Sequence, residues 1–225
     1  MIAILRRQTL RMTLTLAAAA PGYGCNAVPV PAAGVQPVPS PARSLPSGPR
    51  IVGTVLLSST GNAPKGGGVV YLEDAPKQPG VATSATIDVH NKEFSPFISV
   101  ITTGGTVTFG NKDALTHHVF SPDVQDWDTG YLRKNDNAGR VFESSGAIAL
   151  LCNIHPEMIG YLLVIPSTYF GKLGADGKFV IANVPPGTFR VTAWAPRMPT
   201  ATQAVTVGPS GSVTSNFELH PATTN

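Results

Sequence analysis

Residues 151–160 read LCNIHPEMIG and place a thiol, an imidazole and a thioether at intervals of three residues. The three side chains are Cys152, His155 and Met158. Thiolate and thioether sulfur are soft ligands that select copper, and imidazole suits copper as well. Zinc could use the thiol and the imidazole, but methionine is not among its usual ligands. The stretch therefore predicts a copper site.

A histidine from another part of the chain is needed to complete the ligand set. Two histidines, one cysteine and a weak axial methionine form the mononuclear blue-copper site. The candidates are His117 and His118, of which only one can face the metal because adjacent strand residues point to opposite faces. The residues alone leave His117 and His118 both open as this ligand. A dinuclear site would need a second cysteine in the loop, which holds only Cys152.

The composition indicates an all-β protein with many turns. Glycine (23) and proline (21) are abundant, charged residues make up 13% of the chain, and short Val- and Thr-containing runs alternate with turn residues. The formal net charge of +3 comes from three arginines within residues 1–24, which contain no acid, so the remainder is formally neutral. A neutral domain has no electrostatic footprint for nucleic acid, and we exclude that class of partner.

Residues 1–24 are interpreted as an export signal, with arginines at the start, a short apolar run and small residues after it. A periplasmic location follows. A twin-arginine signal and lipid attachment at Cys25 stay open as alternatives, and a membrane is expected only if Cys25 is lipidated. A Cys25–Cys152 disulfide is the alternative to a free Cys152. Residues 25–50 are rich in Pro and Ala and predict a disordered, extended linker.

Residues 81–166 resemble a cupredoxin, the family of plastocyanin, azurin and amicyanin. The segments that carry the resemblance are Glu93–Pro96, Gly105–Asp113, His117–Ser121 and Cys152–Met158. The Cys-x-x-His-Pro-x-Met spacing is similar to the short loop of amicyanin. The resemblance implies a Greek-key β-sandwich and one type 1 copper ion held by His117, Cys152, His155 and Met158. His118 stands where this family usually has an asparagine that ties the two ligand segments together.

Residues 51–76 and 167–220 resemble a second, smaller β-sandwich of the carboxypeptidase regulatory-like (transthyretin-like) family. The opening motif lies in Gly53–Leu72, and its usual continuation reappears at Asp176–Phe189, after the copper region. We therefore expect the cupredoxin domain to be inserted into this sandwich, so that its two parts pair in space. The alternative is two consecutive domains.

Chains that join these two modules are similar to plastocyanin-like and methylamine-utilisation proteins of the periplasm. The resemblance implies a carrier of single electrons through Cu(I)/Cu(II), not an enzyme, because four protein ligands leave no open position for a substrate. The expected partner is a redox protein, cytochrome c-like or a dehydrogenase, that docks near His155, with Pro156 and Ile159 close by. Copper delivery in the cell envelope and a non-catalytic copper accessory subunit are the alternative functions.

Overall fold

The computed structural model describes residues 48–64, 66–76, 83–124 and 127–221. The predicted export signal, Cys25 and the linker up to residue 47 lie outside the described residues. Within the described ranges the chain forms strands and no helix, which confirms the all-β class. Accordingly, the described residues contain no helix that is long and apolar enough to cross a membrane.

The described residues form sixteen strands. In chain order they are β1 (Arg50–Leu57), β2 (Val69–Leu72), β3 (Ser84–His90), β4 (Glu93–Ser95), β5 (Ile98–Thr102), β6 (Gly105–Asn111), β7 (Val119–Phe120), β8 (Asn137–Phe142), β9 (Gly146–Cys152), β10 (Ile159–Ile165), β11 (Phe170–Lys172), β12 (Lys178–Ile181), β13 (Gly187–Trp194), β14 (Ala201–Val207), β15 (Ser212–Thr214) and β16 (Phe217–Leu219).

Strands β3 to β10 form two facing sheets, here called the central sandwich. One sheet has the order β4-β3-β6-β8 and the other β5-β10-β9-β7. Alternate residues of both sheets point into a shared apolar core, as expected for a two-sheet stack. Cys152 and Met158 belong to this core, at the end of the sandwich where β9 runs into β10.

Strands β1, β2 and β11 to β16 form a second pair of sheets, here called the flanking sandwich. Its first sheet is β12-β1-β15, with β16 also paired to β1, and its second is β11-β2-β13-β14. The strands at residues 50–57 and 69–72 thus pair with strands between residues 170 and 219. These are the contacts that an inserted central sandwich requires. The division into domains stays our interpretation.

A glycine in β1 allows the segment between β15 and β16 to approach this strand closely. A Cβ atom at Gly53 would overlap the carbonyl oxygen of Ser215, so only glycine permits this approach. The backbone N–H of Ser215 donates to the carbonyl of Val52 at 2.8 Å. On either side of this contact, β15 pairs with the first half of β1 and β16 with the second half, in the same register.

The two sandwiches are joined by an apolar interface between their sheets β5-β10-β9-β7 and β11-β2-β13-β14. Along β10, Leu162 points into the central core, whereas Leu163 points outward. The outward side chains form an interface cluster whose buried members are Val69, Ile98, Tyr161, Leu163, Ile165 and Trp194. Two polar contacts border it: Lys172 Nζ donates to the carbonyl of Ile98 (3.1 Å), and Arg197 Nε donates to the hydroxyl of Tyr161 (3.3 Å). Strand β10 is therefore buried on both faces.

Truncation of an outward residue of β10 tests this packing. Leu163 is 2% exposed, so Leu163→Ala should lower the free energy of unfolding by about 2–5 kcal/mol through lost contacts and a residual cavity. The matched control is Leu115→Ala, since Leu115 is 48% exposed and its truncation should cost less than about 0.5 kcal/mol. Denaturant titration measures both, and equal losses in the two variants would contradict the buried interface.

Candidate metal centre

The ligand loop, residues 153–158, connects the end of β9 to the start of β10. The register of this pair sets Leu151 opposite Ile159, so the loop is closed by the last pair of the ladder. Inside the loop, the N–H of Met158 donates to the carbonyl of His155 at 3.0 Å. Cys152 and His155 are consequently held at the same edge of a rigid sheet.

His117 reaches this edge through two further strand contacts. Val119 pairs with Cys152 in the β7–β9 ladder, and His117 forms an isolated bridge with Leu132. The N–H of Asn153 donates to the carbonyl of His118 at 3.0 Å. The chain segment that carries His117 is thus bonded on one side to the cysteine strand and on the other to residues 128–132.

Three predicted ligand atoms come together at one point. The Nδ1 atoms of His117 and His155 lie 3.2 Å apart, and Cys152 Sγ lies 3.8 Å from the first and 3.9 Å from the second. Metal–N and metal–S bonds of about 2.0 and 2.3 Å, set 120° apart, would separate such atoms by roughly 3.5 Å (N–N) and 3.7 Å (S–N). The arrangement therefore fits a single ion in a trigonal His₂Cys set.

The three groups differ in their access to solvent. His117 is fully buried and Cys152 is 3% exposed, whereas His155 is half-buried. Within the described residues Cys152 is a free thiol. Met158, at 2% exposure, packs in the same core cluster as Cys152, and its role as an axial ligand stays a prediction. The site is closed on the protein side and approaches solvent at His155.

His118 lies away from this cluster. Its Nε2 is 3.1 Å from Asp128 Oδ1, and its ring meets that of Tyr131 edge-on at 5.2 Å. Nδ1 of His118 lies 3.5 Å from the side-chain nitrogen Nδ2 of Asn153. His118 thus links the two ligand-bearing segments with its carbonyl and its ring, in the place where the cupredoxin resemblance expected an asparagine.

Burial and a carboxylate act on the proton affinity of His117. Burial lowers the pKa of His117, and the charge of the neighbouring His155 lowers it further. Asp113, whose Oδ2 lies 3.0 Å from Nε2 of His117, raises this pKa but does not outweigh the other two effects. The net pKa of His117 is below its ordinary value of 6.5. Burial raises the pKa of Asp113, but hydrogen bonds from the backbone of Lys92 and Asn91 and from His117 outweigh it and hold the pKa below 3.8. A neutral imidazole, ready to bind a metal, therefore faces an ionised carboxylate.

Asp113 lies at this site although its place in the sequence predicted no role for it. It ends the segment Gly105–Asp113, four positions before His117. A carboxylate next to a metal-binding histidine is common, and the short sequence separation was the one signal that could have suggested it. Ile159, which was expected close to His155, is partly buried against the interface cluster, and Ile154, the sequence neighbour of His155, is 41% exposed.

Comparison with known families and sequences gives a partial match. The sequence model of the family described as polysaccharide lyase family 4, domain II, matches residues 167–216, which belong to the flanking sandwich. This is a different family from the carboxypeptidase regulatory-like one that the motifs resemble. No curated protein matches the chain.

Comparison with solved structures gives matches to part of the chain, and the three described below cover 36% to 42% of it. A purple cupredoxin from Nitrosopumilus maritimus is 29% identical over 36% of this chain and 98% of its own. A copper-containing nitrite reductase from Thermus scotoductus SA-01 is 26% identical over 40% of this chain and 25% of its own. Reduced amicyanin P94F is 20% identical over 42% and 97%. Each TM-score is 0.34, so the metal assignment rests on the ligand geometry.

The lowered pKa of His117 predicts how acid destabilises the metal-free protein. Between pH 6.5 and the lower folded-state pKa, the unfolded chain binds a proton at His117 that the folded chain does not bind. Stability should therefore fall as the pH falls below about 6.5, by at most about 1.4 kcal/mol per pH unit from this residue. Denaturant titrations at pH 7.5 and 5.5 measure the change.

Two histidine variants assign this pH dependence. His117→Gln should show a smaller loss of stability between pH 7.5 and 5.5 than the natural protein, whatever its stability at pH 7.5. His90→Gln, at an exposed histidine, should keep the full pH dependence. An undiminished dependence in His117→Gln would contradict the burial argument.

Proposed function

We propose that this protein is a mononuclear type 1 copper protein that carries single electrons between redox partners. The observation that supports this most directly is the cluster of His117 Nδ1, His155 Nδ1 and Cys152 Sγ, with separations of 3.2 to 3.9 Å. Met158 completes the proposed set as a weak axial ligand. When bound, copper would supply a one-electron Cu(I)/Cu(II) couple.

The surrounding residues favour electron transfer because they fix the ligands in one arrangement. Cys152 ends a strand whose neighbours pair with it on both sides, and His117 is held by a bridge to Leu132. Ligands held by such pairing can serve both oxidation states with little rearrangement. Four protein ligands would also leave no open position for a substrate, and we therefore propose a carrier and not an enzyme.

His155 is the proposed exit for the electron. It is half-buried, and its neighbours Ile154 and Pro156 are exposed, so the side of the cluster nearest solvent has an apolar border. We propose that the partner, a cytochrome c-like protein or a dehydrogenase, docks here. Export to the periplasm is a further part of the proposal, and lipid attachment at Cys25 stays an alternative. Both concern residues outside those the structure describes.

The proposed site class is tested by the visible absorption spectrum after Cu(II) is added to the purified protein. We expect an intense thiolate-to-copper band and a loss of that band in Cys152→Ser, because the band requires a bond from sulfur to copper. His90→Gln, which changes an exposed histidine, should retain it. Copper binding without the band in the natural protein would contradict the proposal and favour copper delivery.

The proposed exit at His155 is tested by electron self-exchange between the Cu(I) and Cu(II) forms, which needs no other partner. Ile154→Ser should slow self-exchange about tenfold by weakening an apolar contact worth about 1.4 kcal/mol, while the visible band is unchanged. The control is Val180→Ser, since Val180 on β12 has a similar exposure (38% against 41%). Equal self-exchange rates in Ile154→Ser and Val180→Ser would contradict an electron exit at His155.

A further inference from the structure

The carboxylate of Asp113 lies between the buried histidine and a tight turn. Its Oδ2 is 3.0 Å from His117 Nε2 and accepts the N–H of Lys92 at 2.9 Å, and its Oδ1 accepts the N–H of Asn91 at 2.7 Å. We propose that Asp113 is a positioning residue that fixes the tautomer of His117 and favours binding of Cu(II) over Cu(I). The second half of this proposal rests on the proposed copper function.

The positions of the two ring nitrogens determine the tautomer. His117 Nδ1 is the atom that faces Cys152 Sγ and His155 Nδ1, so it must keep its lone pair if it is to bind a metal. The proton of the neutral ring then lies on Nε2, from which it is donated to Asp113. A hydrogen bond from the distal ring nitrogen is the usual way in which a protein selects the metal-binding nitrogen.

Asp113 is held in place both at its carboxylate and at its backbone. Asn91 and Lys92 have left-handed φ angles of 53° and 59°, a turn that directs both N–H groups at Asp113. The N–H of Asp113 donates to Oδ1 of Asn111 at 2.8 Å. The side-chain amide of Asn111, itself fully buried, donates to the carbonyls of Leu115 (2.7 Å) and Leu132 (2.8 Å).

The same turn also reaches the ligand loop. Lys92 Nζ lies 3.7 Å from the carboxylate of Glu157, which precedes Met158. Both partners are exposed, so this ion pair adds little stability. The ion pair nevertheless shows that the turn at Asn91–Lys92 contacts both the carboxylate of Asp113 and the loop that carries His155. The carboxylate of Asp113 therefore cannot move away from the ring without disturbing the turn.

A fixed negative charge behind an imidazole has a defined effect on a bound ion. It raises the basicity of the ligand nitrogen, which stabilises the more highly charged ion more strongly. Loss of an outer partner of this kind typically weakens metal binding 10- to 100-fold. Cu(II) affinity should therefore depend on Asp113 more strongly than Cu(I) affinity does.

Asp113→Asn tests this effect because it keeps the size and one acceptor oxygen but removes the charge. We expect Cu(II) affinity to fall 10- to 100-fold and Cu(I) affinity to fall less, both measured by competition with chelators. For each tenfold fall in the ratio of Cu(II) affinity to Cu(I) affinity, the midpoint potential should rise by about 59 mV. Asp128→Asn is the matched control, since Asp128 lies at a similar distance (3.1 Å) from the ring of His118, which does not face the cluster. A folded Asp113→Asn protein with unchanged affinities, or the same changes in Asp128→Asn, would overturn the proposal.

The tautomer is tested without any variant or metal. Nitrogen-15 NMR of the metal-free natural protein should show His117 with its proton on Nε2, and a proton on Nδ1 would overturn the proposal even if Asp113→Asn failed to fold. This measurement also separates the two proposals. Copper bound without a thiolate band would refute the electron-carrier function, whereas the NMR and affinity results would still decide the role of Asp113.

Discussion

The pairing of Val119 with Cys152 is the constraint on which the site depends. It sets a short strand beside the end of β9 and so brings together two groups that are 35 positions apart in the chain, His117 and Cys152. The β9–β10 ladder then places His155 on the same edge. Neither contact alone assembles the cluster, because each fixes only one of the two histidines relative to the sulfur.

Chemistry that depends on local spacing could be predicted from the sequence, and contacts that depend on the path of the chain could not. Cys152, His155 and Met158 lie within seven consecutive residues, so their chemical types alone pointed to copper. Strand alternation allowed only one of His117 and His118 to face the metal, and the resemblance to cupredoxins favoured His117. The structure brings His117 to the thiol. Asp113 was not predicted, because a carboxylate four residues from a histidine is common and only the turn at Asn91–Lys92 directs it at the ring.

The interface between the sandwiches escaped prediction for a different physical reason. An apolar run such as that of β10 predicts a strand buried on both faces, but the run does not identify what covers the second face. Here the cover is supplied by residues far away in sequence, including Val69 and Trp194. The pairing of β1 and β2 with later strands was expected from turn motifs, among which Gly53 has a steric reason in its contact with Ser215. Strand β10, which begins directly after the ligand loop, is thus supported from both sides.

The way the chain leaves and re-enters the flanking sandwich has a consequence for how such proteins can arise. The hydroxyl of Ser167 donates to the carbonyl of Leu72 at 2.6 Å, although 95 positions separate the two residues. The two ends of the intervening segment are therefore adjacent, a geometry that tolerates insertion or exchange of a whole domain. A different domain could occupy this position without a change in strand order on either side, provided that it offered an apolar sheet face to cover Val69 and Trp194. A segment exchanged at this junction would therefore need a sheet face that fits the flanking sandwich, whatever chemistry the segment carried.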